Sequence, residues 1–308
     1  MRLLLLNDGK VGHFNQSKAL AQNLNYEILN IKAKKSKSFL RFIFRFYIFK
    51  SLKLLNLFYK IDKKISKVDL IISSGKDTEY LNIWLKNIFK CKNIYLGKPR
   101  GVDSKYFDYI FTTLDLKLPN QILLDAIPSI HKKSIENLNL DKNQTYYTLL
   151  FGGDSSDYKY NKSDILNLAK LLNQISKRDN IKWLITTSPR SQNEKLLQDS
   201  TENIEYFVNY NQNPQNTIAS FFENSEKIFV TEDSSSMISD SINSKKPTFS
   251  LYPKNHSLSS DSKTIIENLI SKKLLKRISI DESNFDFLNE NFNQLKEFNL
   301  ELFFQNLK

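Results

Sequence analysis

The tightest constraint on this chain is an alternation that runs through most of its length: short apolar runs rich in β-branched and aromatic residues, each followed by a stretch with helical spacing. Parallel α/β domains have this pattern, because a strand that rejoins its sheet in the same direction needs a crossover, usually a helix. Strands are expected in the first half at Arg2–Asn7, Tyr26–Ile31, Val68–Ser73, Asn93–Leu96 and Tyr109–Thr113. From His131 to Gln144 the chain is polar, rich in Lys and Asn, and without apolar period, which marks a linker. A second series follows at Tyr146–Phe151, Lys182–Thr187, Ile204–Val208, Lys227–Thr231 and Thr248–Leu251. At 308 residues the chain exceeds what one core commonly supports, so two domains of about 150 residues each are expected. The expected architecture is two Rossmann-like, doubly wound parallel sheets facing across a cleft, over 1–135 and 145–285. Residues 286–308 have apolar positions at helical spacing and are expected as a C-terminal helix packing back on the first domain.

Composition narrows the class. The single Cys91 excludes an intramolecular disulfide framework and a cysteine-built zinc site, as suits a reducing compartment. The apolar run Leu3–Leu6 is followed at once by Asn7, Asp8, Gly9 and Lys10, too soon for a secretory signal, and reads as a buried strand. A cytoplasmic location is therefore expected. The formal net charge of +12 favours an anionic partner, whether nucleic acid, anionic lipid or a phosphorylated substrate. Abundant Lys, Asn and Ile look like compositional drift, so the chain's 7 glycines tell more by their places than its lysines do.

Four of those glycines stand in two loops that follow the first strand of each half, where parallel sheets bind ligands. The first loop is Asn7-Asp8-Gly9-Lys10-Val11-Gly12-His13, with Gln16 in the helix behind it. The second is Phe151-Gly152-Gly153-Asp154-Ser155-Ser156, whose backbone N–H groups can cradle phosphate oxygens. Neither is a dinucleotide fingerprint or a P-loop, and each is also compatible with an ordinary strand-to-helix turn. A third junction, Thr231-Glu232-Asp233-Ser234-Ser235-Ser236-Met237-Ile238-Ser239-Asp240, offers hydroxyls and the unpaired N–H groups of a helix start, or simple N-capping by one serine.

Asp8-Gly9-Lys10 with Gly12-His13 and Asn15-Gln16, Phe151-Gly152-Gly153, Thr187-Ser188-Pro189-Arg190 and the run Thr231 to Asp240 occur in an order that resembles the ELM1-like family of glycosyltransferases, named from a plant mitochondrial fission protein. Asp115 through Asn120, with Pro128 and His131, resembles its middle segment. The resemblance implies a GT-B fold in which the second domain holds a nucleotide sugar and the first the acceptor. It also implies, for bacterial members, transfer to a cell-envelope acceptor, lipid-linked or lipooligosaccharide. Three positions depart from the family pattern: Phe14 follows the histidine where an acid is common, Pro189 replaces a basic residue, and Asp240 stands for glutamate.

On this reading the donor site comprises Gly152, Gly153, Ser155, Arg190, Ser234, Ser235, Ser236 and Asp240, with Asp240 toward the ribose. The acceptor-side loop comprises Gly9, Lys10, Gly12 and Gln16, with His13 as base and Asp8 orienting it or acting itself. No Asp-x-Asp stands near an expected strand end, and His13, His131 and His256 lack metal spacing, so neither metal nor other cofactor is expected. Leaving-group charge falls to amides, the helix start and Arg190. Between Ser38 and Lys60 an aromatic stretch is too often interrupted by charge to span a bilayer, yet Arg41, Arg45, Phe42, Phe46 and Phe49 suit an anionic membrane surface or, equally, a packed helix with a solvated side. A peripheral place on the inner face of the cytoplasmic membrane follows from the first of these. Nucleic acid is not expected as a partner, since no RNA module is recognised. The rival classes are an NAD-dependent nucleotide-sugar epimerase or dehydrogenase, and a non-catalytic protein that recruits partners to membranes.

Overall fold

A computed structural model describes residues 2–22, 24, 27–32, 67–130 and 138–306. The aromatic stretch with Arg41, Phe42, Arg45, Phe46 and Phe49 lies outside the described residues, as does His131. Among the described residues no helix is long and apolar enough to cross a membrane.

The chain divides into two compact units, Met1–Ile130 with Glu297–Lys308, and His131–Lys296. The first is built on β1 (Arg2–Asn7), α1 (Val11–Ala21), β2 (Glu27–Lys32), β3 (Leu70–Ser74), α2 (Glu79–Phe89), β4 (Lys92–Leu96), β5 (Tyr109–Thr112) and β6 (Gln121–Leu123). Its strands pair in parallel in the order β2-β1-β3-β4-β5-β6. Because strands with both faces covered need apolar side chains on each, Leu3–Leu6 and Leu70–Ile72 are buried without alternation. Leu5, Ile72, Ile94, Leu96 and Phe111 form the core on one face, while Ile83, Tyr95, Phe107 and Ile110 form that on the other.

The second unit contains β7 (Tyr146–Gly153), α3 (Lys162–Asp179), β8 (Lys182–Arg190), α4 (Glu194–Ser200), β9 (Ile204–Val208), α5 (Ile218–Asn224), β10 (Ser225–Thr231), α6 (Ser235–Asn243), β11 (Thr248–Tyr252), α7 (Ser260–Ser271) and β12 (Lys276–Ser279). Strand order is β12-β11-β10-β7-β8-β9, again all parallel. The chain thus starts in the middle, winds outward through β8 and β9, then crosses to β10 and winds the other way. Trp183, Phe229 and Phe249 pack edge-on and face-on at the centre. A capping box between Asn161 and Asp164 starts the long crossover helix α3.

The tail departs from the helix expected over 286–308. Asp286–Asn289 is one 3₁₀ turn whose Phe287 and Leu288 belong to the second unit's core, and Phe292 packs edge-on against Phe249. Among the described residues beyond it only α8 (Leu300–Gln305) is helical, and it belongs to the first unit. There Leu300 is fully buried and Phe298 and Phe303 meet the ring of Phe111. Two edge strands, β6 and β12, were not expected; short, with polar or basic residues among three or four positions, they carry little apolar signal.

Candidate functional site

In an open parallel sheet, ligands bind beyond the carboxyl ends of the strands where the winding reverses. Each unit has one such point, between β1 and β3 and between β7 and β10. All seven glycines of the chain lie at or beyond carboxyl ends: Gly9 and Gly12 after β1, Gly75 after β3, Gly97 and Gly101 after β4, and Gly152 and Gly153 as the last residues of β7.

At the first reversal Asp8 follows β1 with its side chain wholly buried, and its Oδ2 lies 2.6 Å from Nδ1 of His13 in the first turns of α1. Oδ1 accepts from the Lys10 N–H at 3.0 Å, so the loop closes on the carboxylate. Burial alone would raise the Asp8 pKa, but the bonds from His13 and Lys10 outweigh it and hold the carboxyl below its ordinary range. An ionised Asp8 can only accept, so Nδ1 of His13 carries a hydrogen, and in the neutral tautomer Nε2 is the acceptor. The side chain of His13 is one-third exposed (33%). Gln16 is tied down rather than free, its Oε1 accepting from the Ser74 hydroxyl at 3.0 Å. Lys10 and Gly12 are exposed, and nothing stands within 4 Å of a Cβ built on Gly9 or Gly12.

Two features of this end were not singled out from the sequence. Gly75 has φ +90°, and a Cβ there would lie 2.3 Å from His13 Nδ1 and 2.4 Å from Asp8 Oδ2. Its signal was available, since Ser73-Ser74-Gly75 ends an apolar strand as Asn7-Asp8-Gly9 does. Glu79, fully buried at the start of α2, accepts from the Arg100 N–H at 2.8 Å, the Gly101 N–H at 2.9 Å and the Tyr95 hydroxyl at 3.1 Å. It fastens the loop after β4; burial raises its pKa against the pull of those bonds.

At the second reversal the pieces lie closer than the sequence suggested. The Gly152 N–H donates to Thr231 Oγ1 at 2.7 Å, joining β7 to β10, and so is engaged within the protein. A Cβ on Gly152 would come within 2.2 Å of Asp233 Oδ2, so the nearest reason for glycine here is the Asp233 carboxylate. Gly153, with φ +102°, has the Arg190 carbonyl oxygen 2.4 Å from where its Cβ would stand. Arg190 ends β8 and is not an isolated cation: Nη2 lies 2.8 Å from Asp233 Oδ2 and Nη1 donates to the Asp154 carbonyl at 3.0 Å. The Asp233 side chain has no exposed surface, and its Oδ1 is buried without a hydrogen-bond partner. Burial drives its pKa up to about 6 against the pull of Thr231 and Arg190.

Ser234 caps α6, its hydroxyl accepting from the Met237 N–H at 3.4 Å, while Ser235 and Ser236 are exposed in the first turn. Asp240 is half-buried in the second turn of α6. Ser155 is engaged locally, its hydroxyl accepting from the N–H groups of Asp157 and Tyr158. Glu232, buried beside this junction, takes Arg277 Nε at 2.8 and 2.9 Å on its two oxygens, with Tyr158 on one and Ser250 on the other. Arg277 also reaches His256, whose Nδ1 must donate to the Pro253 carbonyl; this histidine is a strut of the second unit.

A family model described as mitochondrial fission ELM1 matches residues 11–294. No curated protein matches the sequence. Among solved structures, S. aureus MnaA in a co-structure with UDP is 12% identical at TM-score 0.53, covering 91% of this chain and 85% of that one. The glycotransferase of kitacinnamycin is 11% identical at TM-score 0.51, covering 93% and 88%. MurG of Acinetobacter baumannii is 12% identical at TM-score 0.49, covering 100% and 91%. At such identities the likeness is one of fold, two Rossmann-like parallel-sheet domains of the GT-B type. With most of its length matched by one family model, the chain belongs to the mitochondrial fission ELM1 family.

Proposed function

We propose that this protein is a glycosyltransferase that moves a sugar from a nucleotide-sugar donor to an acceptor of the cell envelope, lipid-linked or lipooligosaccharide, working peripherally at the inner face of the cytoplasmic membrane. The observation that carries the reading is the β7/β10 reversal, where Gly153, Arg190 and the exposed serines of α6 gather beyond the carboxyl ends of one parallel sheet. A helix start favours negative charge, and Arg190 has a forked donor for phosphate oxygens, so the second unit takes the donor's diphosphate. Asp240, Gly152 and Ser155 complete its surroundings, with Asp240 serving the ribose. S. aureus MnaA, which shares the fold, has UDP in its co-structure.

The first unit supplies the base. With Nδ1–H held by the Asp8 carboxylate, Nε2 of His13 takes the proton of the acceptor hydroxyl, and Asp8 stabilises the imidazolium that forms. Gly9, Lys10, Gly12 and Gln16 shape the loop around it. Arg41, Arg45, Phe42, Phe46 and Phe49 are assigned to the membrane surface.

The test is a melting series with UDP, ADP, GDP and CDP on the purified protein, because a ligand selective for the native state raises its apparent stability. One of them is expected to stabilise it saturably, and His13→Ala to keep that response while losing turnover by at least about a hundredfold. Stabilisation by NAD, run beside the series as the rival ligand, and by none of the four diphosphates would move the protein to the epimerase or dehydrogenase class.

A further inference from the structure

Arg190 has a carboxylate partner within its own unit, and that partner is unusual. Of the two oxygens of Asp233, Oδ2 meets the guanidinium at 2.8 Å while Oδ1 has no partner in hydrogen-bond geometry, Thr231 and the Gly153 N–H pulling on the carboxylate only from nearby, and neither oxygen is exposed. A buried carboxylate oxygen without a donor is costly, and ion pairs inside proteins ordinarily satisfy the remaining lone pairs. The guanidinium itself is 41% exposed, so an incoming anion can reach Arg190 from solvent while Asp233 stays beneath it. Gly152 leaves the room that the carboxylate occupies.

We infer that Asp233 is the resident counter-ion of Arg190, and that a diphosphate displaces it electrostatically by binding together with one proton, which Asp233 takes up from solvent. This rests on the reading of the pocket as the donor's diphosphate site. Phosphate oxygens beside Arg190 bring like charge against a carboxylate with no exposed surface, and protonating the carboxylate removes the repulsion. The position of its pKa, about 6 with Arg190 as its partner, puts that proton within reach near neutrality. Few other groups can take the charge change. Arg190 faces Asp233 from β8, and Tyr160 faces it from the segment before α3, its phenol pushed well above its ordinary value by burial and then by the Asp233 charge. Beyond Tyr160 lie Tyr158 and Glu232, the latter bound to Arg277.

The sign follows from linkage. If the bound state holds a proton that the free state lacks, affinity is high below the Asp233 pKa of the free protein and falls as pH rises above it. Titration calorimetry with UDP from pH 5.5 to 8.0 should show wild-type affinity falling more steeply than that of Asp233→Asn, by up to about tenfold per pH unit. Asp233→Asn keeps an oxygen for Arg190 without the charge, and should bind UDP at pH 8.0 about tenfold or more tighter than wild type. Parallel pH slopes in the two proteins would overturn the inference and leave the pocket's assignment standing. Failure of wild type to bind UDP, ADP, GDP or CDP at all would remove that assignment and the inference with it. Should Asp233→Asn not fold, wild type alone decides: UDP titrations at pH 7.5 in two buffers of different ionisation enthalpy should report proton uptake, and none would sink the idea.

Discussion

Where Gly75 would carry a Cβ, the protein has His13 and Asp8. Its backbone, at φ +90° and ψ 139°, is also one that L-residues avoid. Gly75→Ala should therefore lower stability by about 1–3 kcal/mol from backbone strain alone and push the imidazole off its carboxylate. Gly12→Ala, with open space around it inside a helical turn, should be neutral or slightly stabilising. Urea unfolding of the two variants checks the contrast, and equal effects would mean that Gly75 does not shape the pair. The sequence exposed Asp8, His13 and the loops of Gly9 and Gly152 because each follows an apolar run that has to be a strand. It could not expose the contact of Gly75 with His13, which depends on β3 lying beside β1 although more than sixty residues separate the two positions. Asp233 stayed hidden for a related reason. Amid serines it reads as one more polar loop residue, and only the approach of β7 and β8 makes it a buried carboxylate beneath an arginine.

Elements were legible where an apolar run was long enough to mark a strand, at the edge strand β9 as well as in the buried centre. The central strands are apolar on both faces and could be recognised from composition and length, whereas the edges β6 and β12 could not. The tail misled for an instructive reason. Phe285, Phe287, Leu288 and Phe292 pack on the second unit's core, whereas Phe298, Leu300, Phe303 and Phe304 pack on the first's, so one apparent helical period was the sum of two attachments. Leu300 has no exposed surface, and Leu300→Ala should cost about 2–5 kcal/mol through the cavity it leaves. That loss should appear in the first unit only, and Leu302→Ala, at an exposed position of the same helix, should be near neutral. Denaturant midpoints followed by fluorescence of Trp84, buried in the first unit, give the measurement. An unchanged midpoint for Leu300→Ala would show that α8 is not part of that unit's stability.

At the scale of the molecule, the chain has two tryptophans and one stands in each unit, Trp84 in the first and Trp183 in the second. Single-tryptophan variants made by Trp→Phe at one or the other can therefore report each core separately. If the donor belongs to the second unit, UDP should raise the Trp183 transition first, by about 3 kcal/mol at a hundredfold excess over its dissociation constant. A shift confined to the Trp84 transition would place the nucleotide in the first unit. Because α8 returns to the first unit, that unit is discontinuous in sequence and the second is an uninterrupted insertion within it. On a ribosome the order of completion is thus reversed from the usual one. The insertion is complete as soon as Lys296 emerges, while the first unit waits, roughly ten to thirty seconds after its own sheet has left the tunnel, for the residues that cover Phe111. During that interval the nascent chain displays an uncovered aromatic face, and Phe298, Leu300, Phe303 and Phe304 are the residues that close it.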